Sequence, residues 1–180
     1  MLDDIRKSLN GDADAYRRLI EQHQAAVGKL LWRFTRDPAE HEELVQQVFV
    51  DAYMGLRGYR GEAPFEHWLS RIAVRVGYAL WRQKKRRKTV SLTDEHWKQL
   101  AQSEEAVSDD SEGGEIVHRL LERLPQRDRL VLTLRYLEQC DVAQTAYRLG
   151  WTPVRVRVQT HRAIEKLKKI TADTPIEVDW

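Results

Sequence analysis

The sequence of 180 residues has little cysteine and no long apolar run. With a single cysteine, Cys140, the chain can form neither an intramolecular disulfide nor a multi-cysteine zinc site, which fits a reducing compartment. No stretch approaches the roughly 20 apolar residues of a membrane-spanning helix, and the N-terminus lacks the apolar core of a secretory signal. We therefore expect a cytoplasmic protein without membrane insertion.

Motifs of catalysis and cofactor binding are also missing. The chain has no G-x-x-x-x-G-K-[ST], G-x-G-x-x-G or H-E-x-x-H pattern, and its six histidines are scattered. The pair Asp109-Asp110 has no metal-ligand spacing around it. We expect no enzyme activity, no cofactor and no bound metal.

Strand-like alternation is scarce, and helical spacing of apolar residues dominates. The one alternating run, Val154–Val158, is short and lies inside a helical pattern. Apolar stripes predict three helices in the first half of the chain. Asp12 caps the first, Asp37-Pro38 opens the second with Glu40 as the capping-box acid, and the third begins near Phe65. The predicted fold class is all-α.

The small net charge of +2 conceals a strong segregation of charge along the chain. Residues 1–88 hold 17 basic and 12 acidic side chains, residues 89–114 hold 1 and 7, and residues 115–180 hold 12 and 9. This pattern predicts two small basic domains, 1–88 and 115–180, joined by an acidic flexible linker over 89–114. Both basic domains suit a polyanionic partner.

The end of the chain has the outline of a helix-turn-helix. A short helix over about Val142–Leu149 stops at Gly150, and Thr152-Pro153 starts a last helix rich in cations. Arginine can recognise guanine and glutamine adenine in the major groove, so we predict that this helix binds duplex DNA. A solvated basic face is the alternative. The candidate residues are Arg155, Arg157, Gln159, His161, Arg162 and Lys166.

The third helix carries a second stripe, which we predict to lie opposite its core face. Its members are His67, Arg71, Val74, Tyr78, Trp81 and Lys85, with Arg75 and Arg82 beside them. Aromatic rings among cations suit single-stranded DNA, in which bases stack and phosphates pair with charges. Packing of Tyr78 and Trp81 against the first helix, the linker or a partner is an equally weighted alternative.

The outer face of the second helix is acidic and polar, which is the wrong sign for DNA. Its residues are Glu40, Glu42, Glu43, Gln46, Gln47 and Asp51. Such a face could bind a basic protein surface, but charge alone favours a merely solvated face.

Taken together, the elements resemble those of an extracytoplasmic-function sigma factor, the small two-domain type of bacterial RNA polymerase initiation subunit. Residues 37–49, DPAEHEELVQQVF, are similar to the family's polymerase-binding helix. Residues 59–73, YRGEAPFEHWLSRIA, are similar to its region for promoter melting and −10 recognition. Leu124-Pro125 begins a stretch similar to the −35-binding domain. The resemblance covers about residues 12–88 and 115–170.

This resemblance implies a function and assigns residues to it. Core RNA polymerase and promoter DNA are the implied partners, and an anti-sigma protein that clamps the two domains is a further family expectation. The polymerase contact would lie near Glu43, Gln46, Phe49 and Asp51, although Phe49 also fits the core. The loop Arg57–Pro64 and the start of the third helix would capture an extruded base. The implied −10 residues are Tyr59, Arg60, Phe65, His67, Arg71, Arg75, Tyr78, Trp81, Arg82 and Lys85.

Two segments depart from the family pattern at DNA-facing positions. Arg75 stands where the family usually has asparagine, and Arg155–Gln159 stands where it often has Thr-Val-Lys-Ser-Arg. The promoter sequence therefore stays open. Two other hypotheses are a helix-turn-helix regulator that acts without joining the polymerase and, with no assembled site to support it, an enzyme.

Overall fold

The computed structural model describes residues 2–90 and 112–172. The backbone in these two ranges is helical and contains no β-strand, so the all-α prediction is confirmed. The chain divides into two compact units, one of which holds the first described range and the other the second. Most of the predicted acidic linker and the end of the tail lie outside the described residues.

Between residues 2 and 90, the N-terminal unit contains four α-helices, of which the sequence predicted three. They are α1 (Leu2–Leu9), α2 (Ala13–Leu31), α3 (Pro38–Gly55) and α4 (Phe65–Val90), with a short 3-10 turn at Leu56–Gly58. Helix α1 is the additional one. Its Ile5 is buried, and its Asp4 carboxylate accepts a hydrogen bond of 2.7 Å from the Arg18 guanidinium.

The helix starts were predicted correctly, except for one capping box. The Asp12 side chain accepts a hydrogen bond of 3.0 Å from Ala15 N, and the Asp37 side chain accepts one of 2.8 Å from Ala39 N. Glu40 does not close the predicted box with Asp37. Instead the buried Thr35 hydroxyl accepts from Asp37 N at 3.1 Å and donates to Glu40 Oε2 at 2.6 Å. Thr35, and not Glu40, therefore accepts the hydrogen bond from the backbone N–H of the N-cap residue Asp37.

Helices α2 to α4 bury a shared core of large apolar side chains. The largest fully buried members are Leu19, Leu31, Val48, Leu56, Phe65 and Leu69. Burial of each such side chain contributes about 1.5–3 kcal/mol. These six come from all three predicted helices and the turn after α3, so one core holds the unit together.

A tight contact closes this core beyond the end of α2. The Phe34 ring lies flat against the backbone of Gly77, and a Cβ added there would be 2.4 Å from Phe34 Cγ. The Trp81 ring packs on Phe34 with 4.7 Å between centroids, and its indole Nε1 donates to Phe34 O at 2.7 Å. Trp81 is therefore an integral core residue.

Residues 112–172 of the C-terminal unit also contain four α-helices. They are α5 (Glu112–Glu122), α6 (Gln126–Leu132), α7 (Val142–Leu149) and α8 (Pro153–Ala172), and a π-helical turn at Thr133–Leu137 follows α6. Helix α5 begins three residues before the predicted start of the second domain. The buried core joins all four helices through Leu121, Leu124, Val131, Leu132, Ala146, Val156 and Ala163.

Helices α7 and α8 form the predicted helix-turn-helix. Asp141 and Gln144 make a reciprocal capping box, with hydrogen bonds of 2.7 and 2.9 Å. Gly150 ends α7 with a φ of 64°, a left-handed conformation that favours glycine. Thr152 Oγ1 then accepts a hydrogen bond of 3.3 Å from Arg155 N at the start of α8.

Candidate nucleic-acid and polymerase interfaces

Helix α8 has one buried side and one exposed cationic side. Val156 and Ala163 are fully buried and fix the inner side. At about 100° per residue, the outward half of the helix carries Arg155 and Arg162 along one edge and Arg157 along the other, all exposed. This half of the helix is open to a ligand.

No acidic side chain among residues 112–172 pairs with the three arginines. The Arg155 guanidinium lies 4.3 Å from the centroid of the Trp151 ring, a cation–π contact that orients the side chain and leaves its charge uncompensated. Within residues 112–172, neither Arg157 nor Arg162 makes an ion pair. His161 is exposed beside them. These four residues form a positive surface suited to a polyanion.

Gln159 and Lys166, which the sequence predicts to bind DNA, are both bonded within the unit to Asp128. Lys166 Nζ lies 2.6 Å from Asp128 Oδ2, and Gln159 Nε2 donates to Asp128 Oδ1. The Asp128 side chain is only 1% exposed, so its carboxylate needs these partners. Both residues therefore fasten α8 to α6.

The predicted outward stripe of α4 is wrong at two positions. Val74 and Trp81 are 3% and 5% exposed, because the segment after α2 packs over this side of the helix. The alternative of packing inside the protein is correct for Trp81, whose ring and indole N–H are both used by Phe34. Tyr78 is half-buried. A buried ring cannot stack on an extruded base, so we remove Trp81 from the −10 residues.

The other predicted DNA-binding cations of α4 are exposed, and Arg75 among them forms a bridge to α3. Arg71, Arg82 and Lys85 present their side chains to solvent. Arg75 is also exposed, with its guanidinium 3.1 Å from the Asp51 carboxylate of α3. His67 is half-buried, and its Nε2 is 3.8 Å from Glu66 Oε1.

The loop before α4 is held by an aromatic cluster. The Tyr59 hydroxyl donates to Ala63 O at 2.8 Å, and the Tyr59 ring lies 5.4 Å from the rings of both Phe65 and Trp68. Phe65 is only 2% exposed, so it is a core residue and not a surface for a base. Arg60, in contrast, is exposed at the outer part of this loop.

A buried histidine lies under the same cluster. The His23 ring packs on Phe65 with 5.3 Å between centroids, and its Nε2 has no hydrogen-bond partner. Burial lowers the pKa of His23 below its ordinary value of 6.5, an effect that the negative charge of Glu66 opposes. The neutral imidazole is therefore the form that the fold favours.

The outer face of α3 is less uniformly acidic than the sequence predicted. Glu43 and Gln46 are exposed, and Asp51 is engaged by Gln47 at 2.7 Å and by Arg75. Phe49 is 7% exposed and belongs to the core, so it cannot form the predicted polymerase contact.

Apolar side chains on the same face were missed. Val50, Tyr53 and Met54 are 56%, 50% and 79% exposed. Val50 and Met54 lie one helical turn apart, beside Glu43 and Gln46. Val50 and Met54 are four residues apart and do not belong to the apolar stripe that forms the core. This spacing could have identified them from the sequence as an exposed apolar pair.

Cys140 is the single cysteine of the chain and lies in the C-terminal unit. Cys140 is 2% exposed, and burial raises the pKa of its thiol above the ordinary value. In the part of the chain that the structure describes, no group of acidic, histidine and cysteine side chains could hold a metal ion. The described helices also include none that is long and apolar enough to cross a membrane.

Two family models match the chain and coincide with its two units. Sigma-70 region 2 matches residues 19–87, and Sigma-70, region 4 matches residues 114–167. The RNA polymerase sigma-H factor of Pseudomonas aeruginosa is 28% identical over 175 residues, which are 92% of this chain and 90% of that protein. The ECF RNA polymerase sigma-E factor of Escherichia coli K12 is 28% identical over 172 residues, 91% and 90% of the two chains.

Solved structures share the fold. CnrH, in complex with the cytosolic domain of CnrY, superposes with a TM-score of 0.63 at 22% identity, over 95% of this chain and 97% of that one. The sigma factor RpoE from Bartonella quintana, in complex with the anti-sigma factor NepR, gives a TM-score of 0.60 at 13% identity, over 91% and 98%.

Proposed function

We propose a division of labour for this chain, which belongs to the sigma-70 family as an extracytoplasmic-function sigma factor and directs transcription initiation by RNA polymerase. The N-terminal unit binds core polymerase and the −10 element, and the C-terminal unit binds the −35 element. The observation that carries this assignment is the exposed, internally uncompensated arginine surface of α8.

For the −35 element, α8 enters the major groove with Arg155, Arg157, His161 and Arg162. Their side chains are exposed on one half of the helix, and nothing within the described unit competes for the charge of Arg157 or Arg162. Arginine in the major groove can contact guanine in a bidentate manner or pair with phosphate. Gln159 and Lys166 serve this surface indirectly, because their bonds to Asp128 fix α8 on the unit.

For the −10 element, the loop Tyr59–Pro64 and the exposed side of α4 bind the melted strand. Arg60 and Arg82 supply exposed positive charge near phosphates. Arg71, Arg75, Lys85, His67 and the half-buried Tyr78 complete the set. Because Phe65 and Trp81 are buried, base capture must use the loop backbone and the edge of Tyr59.

For core polymerase, α3 presents a mixed apolar and acidic surface. Val50 and Met54 form its apolar centre, and Glu43 and Gln46 lie beside them. A mixed surface of this kind is typical of a protein interface with a polar rim. Asp51 contributes through its bridge to Arg75, which ties the polymerase face to the DNA face of α4.

Three further assignments belong to this proposal. The protein acts in the cytoplasm, has no catalytic activity of its own, and is restrained by an anti-sigma protein as RpoE of Bartonella quintana is bound by NepR. The regulator that acts apart from the polymerase is not favoured, since two sigma-70 regions match in their order.

The test is transcription in vitro from a genomic promoter library, with core polymerase and the full chain. We expect promoter-specific RNA that core polymerase alone does not produce, and sequencing of its starts gives the −35 and −10 elements. The R157A/R162A double variant should lose −35-dependent transcription, whereas the control R127A removes an exposed arginine of α6 and should retain it. Absence of specific RNA with the wild-type chain would refute the proposal.

A further inference from the structure

Two valines on α8 are exposed without serving the core. Val154 is 65% exposed and Val158 is 45% exposed. Both lie on the opposite side of the helix from the fully buried Val156 and Ala163. Since they are four residues apart, their side chains share one face and form a continuous apolar strip. Exposed branched side chains also lower helix propensity slightly, so neither packing nor helix formation accounts for them.

The surroundings of this strip indicate what covers it. Arg155 and Arg162 flank the valines on one side, and Arg157 and His161 flank them on the other, at about 100° per residue. A positively charged rim around an apolar centre is complementary to a polyanion that presents apolar groups. In duplex DNA, the apolar group that a base edge offers in the major groove is the 5-methyl group of thymine.

The local structure holds the strip in a fixed position. Thr152 caps α8 and Pro153 occupies its first turn, so Val154 lies at the N-terminal end of the helix. Residues at the N-terminal end of a recognition helix are the ones that reach base edges. Valine has one strongly preferred rotamer in a helix, so its methyl groups meet the groove at little cost in side-chain entropy.

We propose that Val154 and Val158 contact thymine 5-methyl groups in the −35 element and thereby select thymine at those positions. This inference rests on the proposed function, in which α8 occupies the major groove. The arginines supply affinity for phosphate and guanine, and the valine strip adds discrimination that charge cannot provide. The occupant is therefore duplex DNA, and a protein surface on the same strip is the alternative that the test decides.

The test uses the holoenzyme and the promoter duplex that the transcription experiment selects. Each thymine of the −35 element, on either strand, is replaced singly by deoxyuridine, which removes only the 5-methyl group. We expect wild-type affinity to fall about fourfold at one or two positions, the effect of exposing one apolar carbon. The V154A and V158A variants should each lose a similar factor on the natural duplex and no longer respond to deoxyuridine at the position that each contacts.

The controls show whether weaker DNA binding comes from lost methyl recognition or from a change in folding or charge. Alanine is the better helix former, so V154A and V158A should keep the wild-type circular dichroism and melting behaviour. V117A, which makes the same change at an exposed position of α5, should bind as wild type and keep its response to deoxyuridine. Retention of this response in V154A and V158A would overturn the proposal.

Failure of the inference can be distinguished from failure of the proposed function. If R162A weakens binding but every deoxyuridine duplex binds the wild-type holoenzyme normally, the thymine contacts are refuted and the major-groove role of α8 stands. The strip would then be assigned to a protein partner. If R162A binds the duplex as tightly as wild type, α8 is not the DNA-binding helix and both proposals are refuted.

Discussion

Substitution of Gly77 by alanine should destabilise the N-terminal unit, although alanine is normally the better residue inside a helix. Helix propensity alone would stabilise the variant by about 1 kcal/mol. The added Cβ, however, would lie 2.4, 2.5 and 2.7 Å from Cγ, Cδ1 and Cδ2 of Phe34. Carbon atoms in van der Waals contact are about 3.5–4.0 Å apart, so the ring must retreat by about 1 Å.

The Phe34 ring has little room to retreat. It is 3% exposed, it packs on the Trp81 ring at 4.7 Å, and the Phe34 carbonyl accepts the indole hydrogen bond of 2.7 Å. Overpacking of a tight core costs about 1–3 kcal/mol, and disturbance of a buried hydrogen bond costs about 1–3 kcal/mol more. After the gain of about 1 kcal/mol in propensity, we expect a net loss of about 1–5 kcal/mol in the free energy of unfolding.

Urea unfolding of the full chain measures this loss of free energy. Hydrogen exchange of the α4 amides assigns the loss to the N-terminal unit. Gly58→Ala is the matched control, because a Cβ at Gly58 meets no atom within 4 Å. That variant should be as stable as wild type. If Gly77→Ala proved equally stable, Phe34 could not be packed against Gly77. The argument that buries Trp81 would then fail with it.

Three further predictions concern buried polar groups. Trp81→Phe leaves the Phe34 carbonyl without its donor and should cost about 1–3 kcal/mol of unfolding free energy; a selective loss of promoter melting in a stable variant would contradict the structure. Asp128→Ala removes the carboxylate that binds two α8 side chains and should cost the C-terminal unit about 2–3 kcal/mol in a urea titration; unchanged stability would show that this contact does not hold α8. The lowered pKa of His23 means that the unfolded chain takes up its proton first, so stability of the N-terminal unit is complete above pH 6.5 and falls as the pH drops below that value. His23→Gln should flatten this pH dependence in urea titrations at a series of pH values, and an unchanged slope would exclude His23 as its source.

Features determined by neighbouring residues were predictable from the sequence. Asp12, Asp37 and Gly150 cap helices through bonds to residues within one turn, and the helix-turn-helix followed from them. The division of charge along the chain likewise predicted two basic domains. These signals are short-range, and so a single sequence contains them in full.

Features determined by distant residues were not predictable. Gln159 and Lys166 lie 31 and 38 residues from Asp128 in the sequence. The residue pattern of α8 alone does not indicate that they bind this carboxylate. Trp81 was assigned to an exposed stripe because a periodicity argument allows a helix only one buried side. The Phe34 segment, 47 residues away, covers a second side of α4. Helix α1 was missed because its stability depends on Ile5 and on the Asp4–Arg18 pair, which are tertiary contacts.

The burial of Cys140 makes the natural chain a convenient background for fluorescent labelling. Maleimide dyes react with the thiolate, and both the burial of this thiol and its raised pKa oppose that reaction. A cysteine introduced at an exposed site, such as Glu21 of α2 or Arg127 of α6, would therefore take up dye selectively without prior removal of the native thiol. A donor and acceptor pair at those two sites would measure the distance between the two units in the free chain and in the holoenzyme.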